Sequence, residues 1–216
     1  MSNKYQVIAL IGQTGAGKSA IQRASCELHP ALFNKIIGCT TRPIREDEIQ
    51  GVHYNFISLL QFTHQVLNGD MIEATEFNDW FYGTTIDQLA PDKINIGVFN
   101  PIAVEALLED PRLDVMTILV EASDKTRLIR CLNREKAPDC DEICRRYFED
   151  KKDFANIDFG YTILTNENGS SLDLLAEDHS FYEDLEYMWN GINKEIPFHK
   201  IAFADSQKSN SEGENE

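Results

Sequence analysis

Residues 12–19 read GQTGAGKS, and this octet constrains the fold more than any other part of the chain. It fits the spacing G-x-x-x-x-G-K-[ST]. An apolar run at residues 7–11 precedes it and reads as a buried strand, and a helix-compatible segment follows at residues 20–29. Strand, glycine-rich turn and helix start are the order an anion-binding loop requires, because successive backbone N–H groups and the helix N-terminus have to converge on one anion. The spacing predicts that Gly12, Gly15, Ala16, Gly17, Lys18, Ser19 and Ala20 line a nucleotide phosphate site. Lys18 is expected to reach the β- and γ-phosphates of ATP, and Ser19 to give its hydroxyl to Mg²⁺.

Length and charge bound the rest. The 216 residues suffice for one sizeable core with a small inserted subdomain. No apolar run approaches the ~20 residues of a membrane span, and the N-terminus MSNKYQVIAL lacks a charged region followed by a signal core, so neither a membrane nor secretion is expected. The five cysteines, Cys26, Cys39, Cys131, Cys140 and Cys144, form no C-x-x-C pair. Free thiols in a reducing, cytoplasmic compartment are the expectation, rather than a zinc-bound motif. A formal net charge of -16 argues against a general nucleic-acid binder, so any bound phosphate has to be held by local positive charge. Such charge is concentrated at residues 125–152, although interleaved acidic residues also fit a helix surface laced with ion pairs.

The stretch TTRPIREDEIQGVHYNFIS, residues 40–58, places Arg42 and Arg45 three apart, with Tyr54 nine residues further on. Two guanidiniums and a phenol are suitable donors to a phosphate dianion. This stretch resembles the guanylate kinase signature T-T-R-x-P-R-x-G-E-x-x-G-x-x-Y-x-F. The segment GDMIEATEFNDWFYGTT, residues 69–85, resembles that family's second signature. The resemblance implies that Arg42, Arg45, Tyr54 and Tyr82 hold the acceptor nucleotide's phosphate, that Glu73 reads the guanine edge, and that Thr84 supplies a hydroxyl beside it. A carboxylate accepts from guanine N1–H and N2–H together, an arrangement adenine does not offer.

Several positions depart from the family's pattern: the usual proline has moved next to Arg42, and Asp47 stands where a glycine is typical. Gly38 stands where a serine is usual, and Val98 and Asn100 end the next apolar run, residues 94–99, where aspartates are usual. Pro101 is expected to open a helix over residues 102–108, and LDVMTILV, residues 113–120, reads as a further buried parallel strand. Ser123 is a good cap for a helix through residues 126–133; a loop at 136–141 and a second helix with Arg145 and Arg146 complete a unit that resembles the lid of nucleoside monophosphate kinases. By that resemblance Arg130, Arg134 and Arg146 neutralise the transferring group, with Arg145 the alternative to the last. Residues 159–164 read as the last core strand, with Asn166 at its end resembling an adenine contact, and an amphipathic helix is expected over 171–190.

The resemblance thus implies an α/β chain of the P-loop NTPase kind, three-layered, with a mostly parallel central sheet. It places the guanylate kinase-like domain at residues 1–204, an inserted acceptor-binding subdomain near 41–90 and a helical lid near 134–146; residues 205–216, polar and acidic with no core-forming side chains, are expected to form a disordered tail. The implied activity is ATP- and Mg²⁺-dependent phosphoryl transfer to a nucleoside monophosphate, GMP or dGMP, from small-molecule substrates alone. Two other readings stay open at this point: a noncatalytic scaffold that binds a phosphorylated partner, and a kinase of another nucleotide or a sugar phosphate.

Overall fold

The computed structural model of the protein describes residues 4–45, 48–77, 79–134, 137–157, 160 and 162–165. The first strand, β1 (Tyr5–Ile11), is fully buried over its last five residues. The glycine-rich turn follows, then α1 (Lys18–Leu28). His29 ends that helix by donating its N–H to the Ser25 carbonyl at 3.0 Å, and Pro30, which has no N–H to offer, comes next. The chain then enters β2 (Phe33–Lys35).

Residues 35–40, β-like throughout in sequence, divide between two sheets. Lys35 ends β2 in the main sheet, whereas β3 (Cys39–Thr40) pairs antiparallel with β6 (Trp80–Thr85) and parallel with β4 (Asn55–Phe56). Between β4 and β6 lie α2 (Leu59–Leu67) and β5 (Met71–Phe77). Ser58 starts α2 with a reciprocal capping box: its hydroxyl accepts from the Gln61 N–H, and the Gln61 side chain accepts from the Ser58 N–H. The chain returns to the main sheet as β7 (Ile94–Val98), α3 (Pro101–Glu109) and β8 (Leu113–Glu121). It continues as α4 (Asp124–Arg134), α5 (Cys140–Asp153) and β9 (Thr162–Thr165). The second of these helices begins inside the predicted loop, because Asp139 caps it by accepting from the Glu142 N–H at 3.0 Å.

The main sheet runs β2-β7-β1-β8-β9, and every pairing in it is parallel. Side chains of β1 alternate between its two faces. Ile8 and Leu10 pack with Ile21 and Ala24 of α1, while Val7, Ala9 and Ile11 pack with Val104 and Leu107 of α3. This gives a three-layer α/β fold in which β1 is buried on both sides, as a near-continuous apolar run requires. The connection through α1 leaves β1 toward β2 on one side, and the connection through α3 carries the chain from β7 across β1 to β8 on the other. In such open sheets the crevice at the carboxyl end of the strand where the order reverses is where ligands bind, and the GQTGAGKS loop begins there. The second sheet runs β4-β3-β6-β5 and is built from parts of the two signature segments.

Candidate functional site

The loop's backbone shows why its glycines are needed. Gly12, Gly15 and Gly17 have φ of 143°, 81° and 106°, a region L side chains rarely adopt. A Cβ on Gly15 would lie 2.5 Å from the Arg127 carbonyl oxygen, and one on Gly12 would collide with the Val120 carbonyl. Lys18 folds back along the loop, its ammonium donating to the Gly12 and Gln13 carbonyls, the latter at 3.2 Å. Enclosure strips water from the ammonium and pushes Lys18 down to about 8, with Arg127 adding to the effect and Asp150 opposing it. Ser19, the next residue, is exposed at the start of α1.

The second sheet gathers the residues expected for an acceptor. In the β5–β6 register Glu73 lies opposite Thr84 and Thr75 opposite Tyr82, so Glu73, Thr84 and Tyr82 share one face. The Thr84 hydroxyl donates to Glu73 Oε1 at 2.8 Å. Glu73 is 8 % exposed, and burial pushes its carboxyl up to about 7, partly offset by the Thr84 bond. Tyr54 meets Tyr82 edge to face, ring centroids 5.9 Å apart, and the Arg42 guanidinium lies 5.6 Å from the Tyr54 ring centroid. A side chain at Gly38 would face the same cluster, its Cβ 3.7 Å from Thr84 Oγ1 and 4.0 Å from Tyr54 Cε1.

Arg42 is held in place by a residue that sequence reasoning missed. Glu48 accepts two bonds from its guanidinium, both at 2.7 Å, and a third goes to the Pro43 carbonyl at 2.8 Å. The pair holds the Glu48 carboxyl down at about 2 and raises Arg42 further. A guanidinium has five donors, so Arg42 can meet a phosphate while staying bound to Glu48. Arg45 is exposed and meets Glu48 through its backbone, its N–H donating to the carboxylate at 2.9 Å and its carbonyl accepting from the Glu48 N–H at 3.1 Å. Replacing Glu48 with glutamine is expected to raise KM for the phosphate-bearing acceptor at least about tenfold with a smaller change in KM for ATP, because an Arg42 without its carboxylate loses its fixed orientation. Steady-state kinetics with each substrate varied in turn checks this.

The helix arginines divide by role. Arg130 donates to the Gly15 and Ala16 carbonyls, both at 3.3 Å, so it braces the phosphate loop from outside. Arg146 and Arg145 both bind Glu142, at 2.7 and 2.6 Å, and Arg134 is exposed at the end of α4. Asn166, the helix expected at 171–190 and the tail at 205–216 lie outside the described residues.

A family model described as guanylate kinase matches residues 4–177. The chain belongs to the guanylate kinase family. Among curated relatives it is 29% identical to a guanylate kinase of Chlamydia felis over 184 residues, 81% of this chain and 89% of that one. It is 36% identical to a guanylate kinase of Helicobacter hepaticus over 96 residues, a match that spans about half of each protein, 43% here and 48% there. A crystal structure of guanylate kinase from Anaplasma phagocytophilum shares the fold, with a TM-score of 0.57 at 18% sequence identity, covering 84% of this chain and 86% of that one.

Seen as a guanylate kinase family member, the chain has an unusual end to β7. Val98 offers no oxygen ligand, and Asn100 uses its side-chain carbonyl to cap α3, accepting from the Ala103 N–H at 2.7 Å. Among the described residues no group of three or more His, Cys, Asp or Glu is placed to hold a metal ion. The donor set still fits Mg²⁺, which keeps most of its water and relies on substrate phosphates with one or two protein oxygens; the exposed Ser19 hydroxyl would be one such oxygen. Cys26 and Cys39 are pushed by burial up to about 11 and about 12, as inert packing thiols would be. No helix among the described residues is long and apolar enough to cross a membrane.

Proposed function

We propose that this protein transfers the γ-phosphoryl group of ATP to GMP or dGMP, giving ADP and the nucleoside diphosphate. The observation that carries the reading is that a buried carboxylate and hydroxyl, Glu73 and Thr84, share one face of the second sheet with Tyr82, which meets Tyr54 and, through it, Arg42. The attacking atom is an oxygen of the acceptor phosphate, already anionic at neutral pH, so no general base is needed. The bond from the γ-phosphorus to the bridging β,γ oxygen breaks as the new P–O bond forms. Lys18 and the loop N–H groups hold the donor phosphates, Arg42 and Arg45 hold the acceptor, and Arg130, Arg134 and Arg146 offset charge on the transferring group. Mg²⁺, held in part by Ser19, supplies further charge neutralisation when bound.

A noncatalytic scaffold is the second reading, favoured by Val98 and by the cap that occupies Asn100. Product analysis separates the two. Incubation with ATP, Mg²⁺ and GMP is expected to yield ADP and GDP in equal amounts, and neither product would form on a scaffold.

The titrating groups give a pH signature. Only ionised Glu73 accepts both guanine N–H donors, so kcat/KM for GMP at saturating ATP is expected to fall as pH drops through about 7. Neutral Lys18 binds phosphate poorly, so kcat/KM for ATP is expected to fall as pH rises through about 8. The acid limb should vanish in Glu73→Gln, which distinguishes it from ionisation of GMP itself. Stability follows the opposite logic for the same carboxyl. Its pKa is raised from 4.5 to about 7, so its unfavourable contribution is absent below pH 4.5 and complete above about 7. Glu73→Gln should therefore raise Tm relative to wild type at pH 8 more than at pH 4.5, as thermal melts at the two pH values would show.

A further inference from the structure

The phosphate loop already has a carboxylate on it. Thr14, the third residue of GQTGAGKS, donates its backbone N–H to Asp150 Oδ2 at 2.5 Å, across 136 positions of sequence. Its carbonyl accepts from Arg127 Nη1 at 3.2 Å, so both backbone polar groups of this residue are taken by side chains of α4 and α5. Asp124 fixes the helix pair in the position that makes this contact. Its carboxylate accepts from Arg127 at 2.7 Å, from the Tyr147 hydroxyl at 2.6 Å and from Lys151 at 2.8 Å. Arg127 itself is 2 % exposed and stacks on the Tyr147 ring, 5.4 Å from its centroid.

The contact lies at a definite end of the loop. The helix N-terminus, which begins at Gly17, is at the other end. Lys18, whose ammonium marks where the outer phosphates of a nucleotide sit, lays its tip on the carbonyls of Gly12 and Gln13, immediately before Thr14. A carboxylate bonded to the Thr14 N–H thus holds the same kind of donor that a terminal phosphate oxygen would use, and the two anions repel if both are present.

Resting on the reading of GQTGAGKS as a triphosphate site, we infer that Asp150 is a resident anion that docks α5 on the loop through Thr14 and is displaced by the γ-phosphate of ATP. The diphosphate product has no γ-phosphate, so Asp150 returns to Thr14 once transfer is complete. It therefore weakens ATP binding selectively, and it ties the position of the helix bearing Arg145 and Arg146 to the presence of the triphosphate.

Titration calorimetry of ATP and ADP, each with Mg²⁺ and without acceptor, tests this on the full chain as wild type, Asp150→Asn and Asp150→Ala. Asparagine keeps an acceptor for Thr14 but removes the charge, and alanine removes both. The expected result is that Kd for ATP tightens at least about fivefold in both variants while Kd for ADP changes less than about twofold. Equal factors for ATP and ADP, or no change in either variant, would overturn the displacement by γ-phosphate while leaving the phosphate-loop reading intact. Failure of the wild type and both variants to bind either nucleotide would overturn the loop reading, and this inference with it.

Discussion

Lys18→Ala is expected to lower kcat/KM for ATP by about 10³-fold or more. The ammonium lies along the loop on the Gly12 and Gln13 carbonyls, and with it gone the outer phosphates lose a charge-assisted partner in both the bound and the transferring state. A single such donor at a reacting centre is worth about 10²–10³-fold, and neutralisation of the transferring group carries a large share of phosphoryl-transfer catalysis. The fold should not suffer. Lys18 sits among backbone carbonyls with its pKa depressed to about 8, so at pH 7 the charged form is held at a cost to the folded state. Alanine removes that cost, and Tm measured by calorimetry at pH 7 should be unchanged or slightly higher. Near-normal turnover in a folded Lys18→Ala protein would contradict the role given to this loop.

Glu73→Ala is expected to remove discrimination between bases while sparing phosphate recognition. Each charged hydrogen bond to a guanine N–H is worth about 1.5–3 kcal/mol, so losing two should cut kcat/KM for GMP by about 10²- to 10⁴-fold. AMP offers neither donor in that arrangement, and its kcat/KM should move less than about tenfold. The phosphate contacts come from Arg42, Tyr54 and Tyr82, which the substitution leaves alone. The measurement is the ratio of kcat/KM values for GMP and AMP in wild type and variant. A ratio that stays put would remove Glu73 from base recognition.

The parts of this fold legible in the sequence are those set by near neighbours. The β1–loop–α1 unit could be read from an apolar run, three glycines and a helix start within a couple of dozen residues, because strand burial, positive φ and helix initiation are local demands. The Pro101 opening of α3 and the Ser123 cap before α4, which accepts from the Thr126 N–H at 3.3 Å, belong to the same class. What was not legible depends on distant partners. Residues 35–40 have uniform strand character, and only pairing with β7 on one side and with β6 on the other divides them. Asp150 carried no signal beyond one more acidic residue on a charged helix, and its partner lies 136 positions away. Glu48 was closer to legible: an acidic residue six positions after Arg42 in a tight, proline-containing segment is within reach of it. Its role in orienting Arg42 still needed the geometry, since the same spacing on an open loop would leave both groups in water.

The measurement that bears most directly on the account is ADP formation from ATP and Mg²⁺ against GMP, dGMP, AMP, CMP, UMP and ribose phosphates as acceptors. Selective turnover with GMP or dGMP is the predicted result, and it would show that transfer proceeds with Val98 and Asn100 at the end of β7. Selective turnover with a different acceptor, or none with any acceptor while nucleotides still bind, would contradict it.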